Sequence, residues 1–111
     1  MNEKIYLFAY GILQLNISGT EFGLDKDNYI GRGILEGYIR KNLCSIEKSN
    51  LHYVHKGKKH TIHYVCGDIF YVDKDTEDRI WDFERSCGYK RITETVRCIN
   101  DNKKYKCVVY V

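Results

Sequence analysis

Apolar and polar positions alternate in two different rhythms along this chain, and the change of rhythm predicts its elements. Ile5 to Tyr10 is a short, continuously apolar run closed by Gly11, the pattern of a strand buried on both faces that ends in a turn. Residues 11 to 28 carry no clear period and are read as a loop with room for one helical turn. Gly31 to Ile39 reads as a second strand, and its glycines at 31, 33 and 37 suggest bulges or close backbone approach in a strongly curved sheet. Leu51 to His55 and His60 to Tyr71 have strand composition, with Lys56 to Lys59 as the hairpin loop between them. That loop would set His55 opposite His60 and His52 opposite His63.

After Tyr71 the period shifts. Asp73-Lys74-Asp75 offers N-cap candidates, and Ile80, Trp81, Phe83 and Glu84 fall where an amphipathic helix would place them, with a stop near Ser86 to Gly88. Tyr89 to Ile99 and Lys104 to Val111 read as two closing strands around a turn at Asn100-Asp101-Asn102. Strands with one inserted helix in this order predict an α+β fold, a small, mostly antiparallel, barrel-like mixed sheet with one main helix. With 111 residues and no proline, no repeat and no linker, residues 1–111 are expected to form one domain.

Composition narrows the functional classes. At 43% apolar, 14% aromatic and 30% charged residues, the chain has the balance of a folded globular protein. The start Met1-Asn2-Glu3-Lys4 runs straight into the first aromatic strand, and no apolar stretch is long enough to span a bilayer, so the expected location is the cytoplasm, without a membrane partner. Five cysteines, none in a Cys-x-x-Cys pair, are read as reduced thiols. A net charge of +3 and one basic cluster at an apparent turn disfavour nucleic acid as a partner.

Among residues able to carry chemistry, Glu84 stands out. On a helix it shares a face with Ile80 and Trp81, so its carboxyl would be pressed against apolar surface and its pKa raised toward the working range of a general base. Gly11, following the first strand in Tyr10-Gly11-Ile12-Leu13, could leave successive backbone N–H groups aimed at one spot, a nest for a carboxylate or oxyanion. Tyr89 and Arg91, two apart in an extended segment, would share a face, and a phenol there could orient a ligand. The histidines at 52, 55, 60 and 63 invite a metal, yet positions 52 and 55 of a strand point to opposite faces and each cross-strand pair lacks a third ligand, so no metal is expected. No nucleotide-binding or common hydrolase motif is present, which points to chemistry without a cofactor.

Four segments, in order, complete a resemblance. Tyr6-Leu7-Phe8-Ala9-Tyr10-Gly11-Ile12-Leu13-Gln14 resembles the strand-and-loop signature of the gamma-glutamylcyclotransferase-like superfamily. Gly33-Ile34-Leu35-Glu36-Gly37-Tyr38 is similar to its second-strand motif, and Cys66-Gly67-Asp68-Ile69-Phe70-Tyr71-Val72 to a later strand. Trp81-Asp82-Phe83-Glu84 with Gly88-Tyr89-Lys90-Arg91 is similar to its glutamate-bearing signature. The branch most resembled includes gamma-glutamylamine cyclotransferase and the plant avirulence-induced proteins.

The resemblance implies a cofactor-independent reaction on a small γ-glutamyl or related anionic molecule. The free α-amine of a γ-glutamyl amide would attack its own γ-carbonyl, releasing an amine and 5-oxoproline. Glu84 would then be the catalytic acid and base, the backbone of Gly11, Ile12 and Leu13 the anion holder, and Tyr10 and Tyr89 the pocket walls, with Arg91 beside them. Two departures from the family pattern bear on substrate choice: Ile12 stands where the family carries a hydroxyl residue, and Leu43 to Glu47 replaces a proline-containing segment. The alternative reading is a non-catalytic pocket protein that binds or sequesters a small anionic metabolite or signal.

Overall fold

The computed structural model describes residues 3–11 and 23–111. Ile12, Leu13 and most of the loop expected at 11 to 28 lie outside the described residues.

β1 (Lys4–Ala9) runs antiparallel to β7 (Tyr64–Asp73), with Leu7 opposite Phe70 and Phe8 opposite Ile69. β7 is in turn paired with β2 (Tyr29–Glu36), which pairs β8 (Arg91–Cys98), and β8 pairs β9 (Lys104–Tyr110). A short parallel pairing of β1 with β9, Tyr6 opposite Cys107 and Leu7 opposite Val108, closes the ring. The result is a closed five-stranded barrel in the order β1-β7-β2-β8-β9. The expected α+β class and mostly antiparallel barrel are therefore observed.

The apolar run of β1 is buried on both faces because it separates two cores. Phe8 and Tyr10 join Leu35, Val65, Ile69, Val96 and Val109 in the barrel interior. Leu7 and Ala9 turn outward to meet Phe70, Val72 and Ile80 beneath α1 (Lys74–Ser86). Period-2 alternation along β1 and β7 thus feeds both layers, which explains a continuous apolar run where a one-sided strand would alternate.

The barrel is tight enough to demand a residue without a side chain at one crossing. A Cβ on Gly67 would lie 2.4 Å from the Ala9 carbonyl oxygen and 2.8 Å from the Phe8 ring. Gly33 stands opposite Gly67 in the β2–β7 ladder.

α1 begins at Asp73, whose carboxylate accepts from the Thr76 backbone N–H at 2.8 Å. It ends at Cys87. Both limits match the expected N-cap and stop.

Three local expectations are corrected. The single strand expected over Gly31 to Ile39 is two, because Gly37 at φ 84° turns the chain out of β2 into β3 (Tyr38–Asn42). β3 then pairs β4 (Ser45–Lys48) across a Leu43-Cys44 turn. The His-rich hairpin is tighter than expected: β5 (His52–His55) and β6 (Lys58–Thr61) are joined by Lys56-Gly57 alone, both at positive φ (52° and 75°). That two-residue turn matches strand twist, and it sets His55 opposite Lys58 and His52 opposite Thr61, not opposite His60 and His63. Finally, Tyr89 precedes β8, so Tyr89 and Arg91 do not belong to one strand face.

Candidate functional site

A small cavity opens where the C-terminal ends of β1 and β9 meet the end of α1. Its walls include Tyr10 and Gly11 after β1, Tyr110 of β9, Glu84 of α1, Tyr89 just beyond, and Cys44 from the β3–β4 turn. At ≈ 20 Å³ it has room for about one water molecule.

Helix periodicity delivers Glu84. It lies one turn after Ile80, which is fully buried, and is itself only 4% exposed. The helix end then brings Tyr89 back: the Glu84 carbonyl accepts from the backbone N–H of Cys87 at 3.0 Å and of Tyr89 at 3.1 Å. Tyr89 reaches across the cavity mouth and donates its hydroxyl proton to the Cys44 carbonyl. Tyr10 donates its own to the carbonyl of Tyr110, joining residues a hundred positions apart.

The electrostatics follow from this arrangement. Burial raises the Glu84 carboxyl from 4.5 to about 7, with no counter-charge among the described residues to oppose it. Burial also raises the phenols of Tyr10, Tyr89 and Tyr110, and the Glu84 charge adds to the shift of each. Because Tyr10 and Tyr89 have spent their protons on backbone carbonyls, they offer lone pairs and no donor. A carboxyl and two acceptor phenols suit a ligand group rich in N–H donors, an amine or ammonium. A cation packs on the outer face of the Tyr10 wall: the Arg40 guanidinium is 5.8 Å from the Tyr10 ring centroid and donates to the carbonyls of Leu43 at 3.4 Å and Cys66 at 3.1 Å.

Of the residues expected from sequence, Tyr10, Gly11, Glu84 and Tyr89 thus meet at one cavity. Ile12 and Leu13 lie outside the described residues. Arg91 does not line the cavity; its guanidinium holds the buried Glu77 carboxylate through two nitrogens, reaches Asp78 at 3.2 Å and stacks 5.4 Å over Trp81. Trp81 stacks in turn on Tyr110, 5.9 Å between centroids, and Tyr110 donates to Glu77. This network lies behind the site and fixes the Tyr110 wall. Sequence reasoning missed Cys44, Tyr110 and Arg40, which carry no local signature.

Among the described residues, no group of three or more His, Cys, Asp or Glu side chains is arranged to hold a metal ion. His63 is instead paired through Nδ1 with Ser49 Oγ at 2.7 Å. Nor is any helix among them long and apolar enough to cross a membrane.

A closed five-stranded barrel with one helix packed outside it is a fold shared with gamma-glutamylcyclotransferase-like structures. The chain is similar over 98% of its length to a mouse AIG2-like protein (TM-score 0.65, 22% identity, 77% of that chain covered). It is similar over 98% to a structure described as gamma-glutamyl cyclotransferase (TM-score 0.70, 16% identity, 66% covered), and over 97% to an Arabidopsis thaliana protein (TM-score 0.71, 18% identity, 68% covered). No protein-family model matches the sequence, and no curated protein matches it significantly.

Proposed function

We propose that the chain is a cyclotransferase for γ-glutamyl amides, with Glu84 as its general acid and base. The observation that carries this reading is a carboxyl buried without a counter-charge among the described residues and raised to about 7, facing a cavity whose phenols can only accept. Such a group takes and returns a proton near neutral pH with little cost either way. Similarity of fold to a structure described as gamma-glutamyl cyclotransferase supports the substrate class.

In this scheme the substrate's α-ammonium sits among Glu84, Tyr10 and Tyr89 and gives one proton to Glu84. The freed amine attacks the γ-carbonyl carbon, forming the new ring C–N bond. Glu84 passes that proton to the departing nitrogen as the original amide C–N bond breaks, then takes the second proton from the ring nitrogen and returns it to the released amine, leaving 5-oxoproline and an ammonium product. No electron acceptor or external nucleophile is needed, and attack within one molecule supplies much of the rate. The developing oxyanion is assigned to the backbone N–H of Gly11, which lines the cavity; such a donor typically contributes a hundredfold or more. A γ-glutamyl group is larger than the ≈ 20 Å³ space among the described residues and would extend beyond them. One wall contact, the Tyr89–Cys44 hydrogen bond, makes a net contribution of about 1 kcal/mol.

A protein that only sequesters a small anion is less well served by this site. Among the described lining residues, the side chains present phenol oxygens and a carboxyl and no cation. The pH dependence of kcat/KM for a γ-glutamyl amine tests the proposal. It should rise with an apparent pKa near 7, and Glu84→Gln should abolish turnover; a profile flat between about pH 6 and about pH 8 removes Glu84 from the base role.

A further inference from the structure

On the barrel wall away from Glu84 runs an open groove of ≈ 870 Å³, bounded on one side by the β5–β6 hairpin. Its floor is set by sheet register. Cys66 of β7 pairs Ile34 of β2, Ile34 pairs Arg97 of β8, and Arg97 pairs Lys104 of β9. This cross-strand row places Arg97 on the floor and leads into a second, smaller depression that includes Thr95 and Lys104.

Two features of the groove are unusual for a solvated surface. The first is charge. From Lys48 to Gly67 the chain has no acidic residue, while it carries Lys48, Lys56, Lys58, Lys59 and four histidines. Lys59, His60 and His63 line the groove, and Glu36 is the one acid among its lining residues, 3.8 Å from Arg97 Nε. The second is exposed ring surface. Tyr53 is 52% exposed and stacks on its cross-strand partner His60, 5.2 Å between centroids and 20° between planes. Tyr64, 61% exposed, stands on the opposite side of the same groove.

We propose that this groove binds single-stranded nucleic acid, its phosphates following Lys59, Arg97 and Lys104 and its bases stacking on Tyr53 and Tyr64. Cations spaced along an open track with aromatic faces between them are what a flexible strand of planar bases and regularly spaced phosphates requires. An acidic peptide would satisfy the cations but leave the rings without flat partners. The cluster Lys56 to Lys59, which in sequence looks like a solvated turn, gains this meaning only because the two-residue turn sets His60 opposite Tyr53 and leaves Lys59 among the residues that line the groove.

The test is fluorescence anisotropy with a labelled oligothymidylate of about ten nucleotides, with unlabelled polyglutamate as competitor. Binding should weaken with salt at a log–log slope of about −2, from about 0.7 per phosphate for the three cations. Tyr64→Ala and Tyr53→Ala should each weaken binding roughly tenfold. Glu36→Gln, which removes the opposing charge, should strengthen it. All three side chains are solvent-exposed, so circular dichroism can confirm that each variant keeps the fold. Absence of binding at low salt overturns the proposal. So does binding that survives both tyrosine changes and is displaced equally by polyglutamate, since the groove would then be reading charge alone.

Discussion

Glu84 is the residue on which the site turns, and its burial has a cost that can be measured apart from any activity. With its carboxyl moved from 4.5 in the unfolded chain to about 7 when folded, the native state holds a proton that the unfolded state releases between those values. The contribution is fully present below about pH 4.5, is lost as pH rises through about 7, and is constant above; the difference is about 3 kcal/mol. Glu84→Gln keeps the shape and removes the charge, so it should stabilise the protein at pH 8 by up to that amount and flatten the slope. Urea unfolding at several pH values checks this, and equal slopes for the two proteins would mean that the carboxyl is not desolvated. Glu84 was legible in sequence because helical period placed it one turn after Ile80. Tyr110 and Cys44 were not, because only barrel closure and the β3–β4 turn bring them to the cavity.

At the scale of elements, two positions show what geometry the fold imposes. Gly67 lets β7 pass the end of β1, where a Cβ would lie 2.4 Å from the Ala9 carbonyl. Gly67→Ala should therefore destabilise the protein by about 1–3 kcal/mol, the usual range for forced overpacking, and thermal unfolding would show it; an unchanged melting temperature would mean that the strands separate freely there. Arg91 is the second. It neutralises Glu77, which is 1% exposed, so Arg91→Ala leaves that buried carboxylate with only Lys74 Nζ at 3.6 Å and the Tyr110 hydroxyl and should cost up to about 3–5 kcal/mol. If Arg91 instead served the substrate, KM would rise while stability held, so denaturation and kinetics on the same variant separate the two roles.

The element boundaries that sequence did predict, β1 and α1, carry strong local signals: a continuous apolar run, and an Asp N-cap ahead of a helical stripe. The hairpin register was missed because a Lys-Gly pair at positive φ is a weaker turn signal than Asn-Gly. The β3–β4 pair was missed because Leu43 to Glu47 has no alternation to read.

Across the whole molecule, closure of the barrel performs the assembly. β1 and β9 run parallel side by side, so Tyr10 and Tyr110 leave the sheet at the same end and meet. The helix packed against the outward face of β1 delivers Glu84 to that end. Fold class was readable from the order of strands and helix, whereas the meeting of chain ends depends on a parallel pairing that no local pattern announces. The central claim is that this assembly cleaves γ-glutamyl amides. The most direct measurement is mass spectrometry of the protein incubated with a panel of γ-glutamyl amino acids and amines, including γ-glutamyl-ε-lysine, beside Glu84→Gln. Release of 5-oxoproline and one free amine by wild type alone is the expected result. Substrates recovered intact, with a ligand retained on the protein, would contradict it and leave a pocket that binds without turnover.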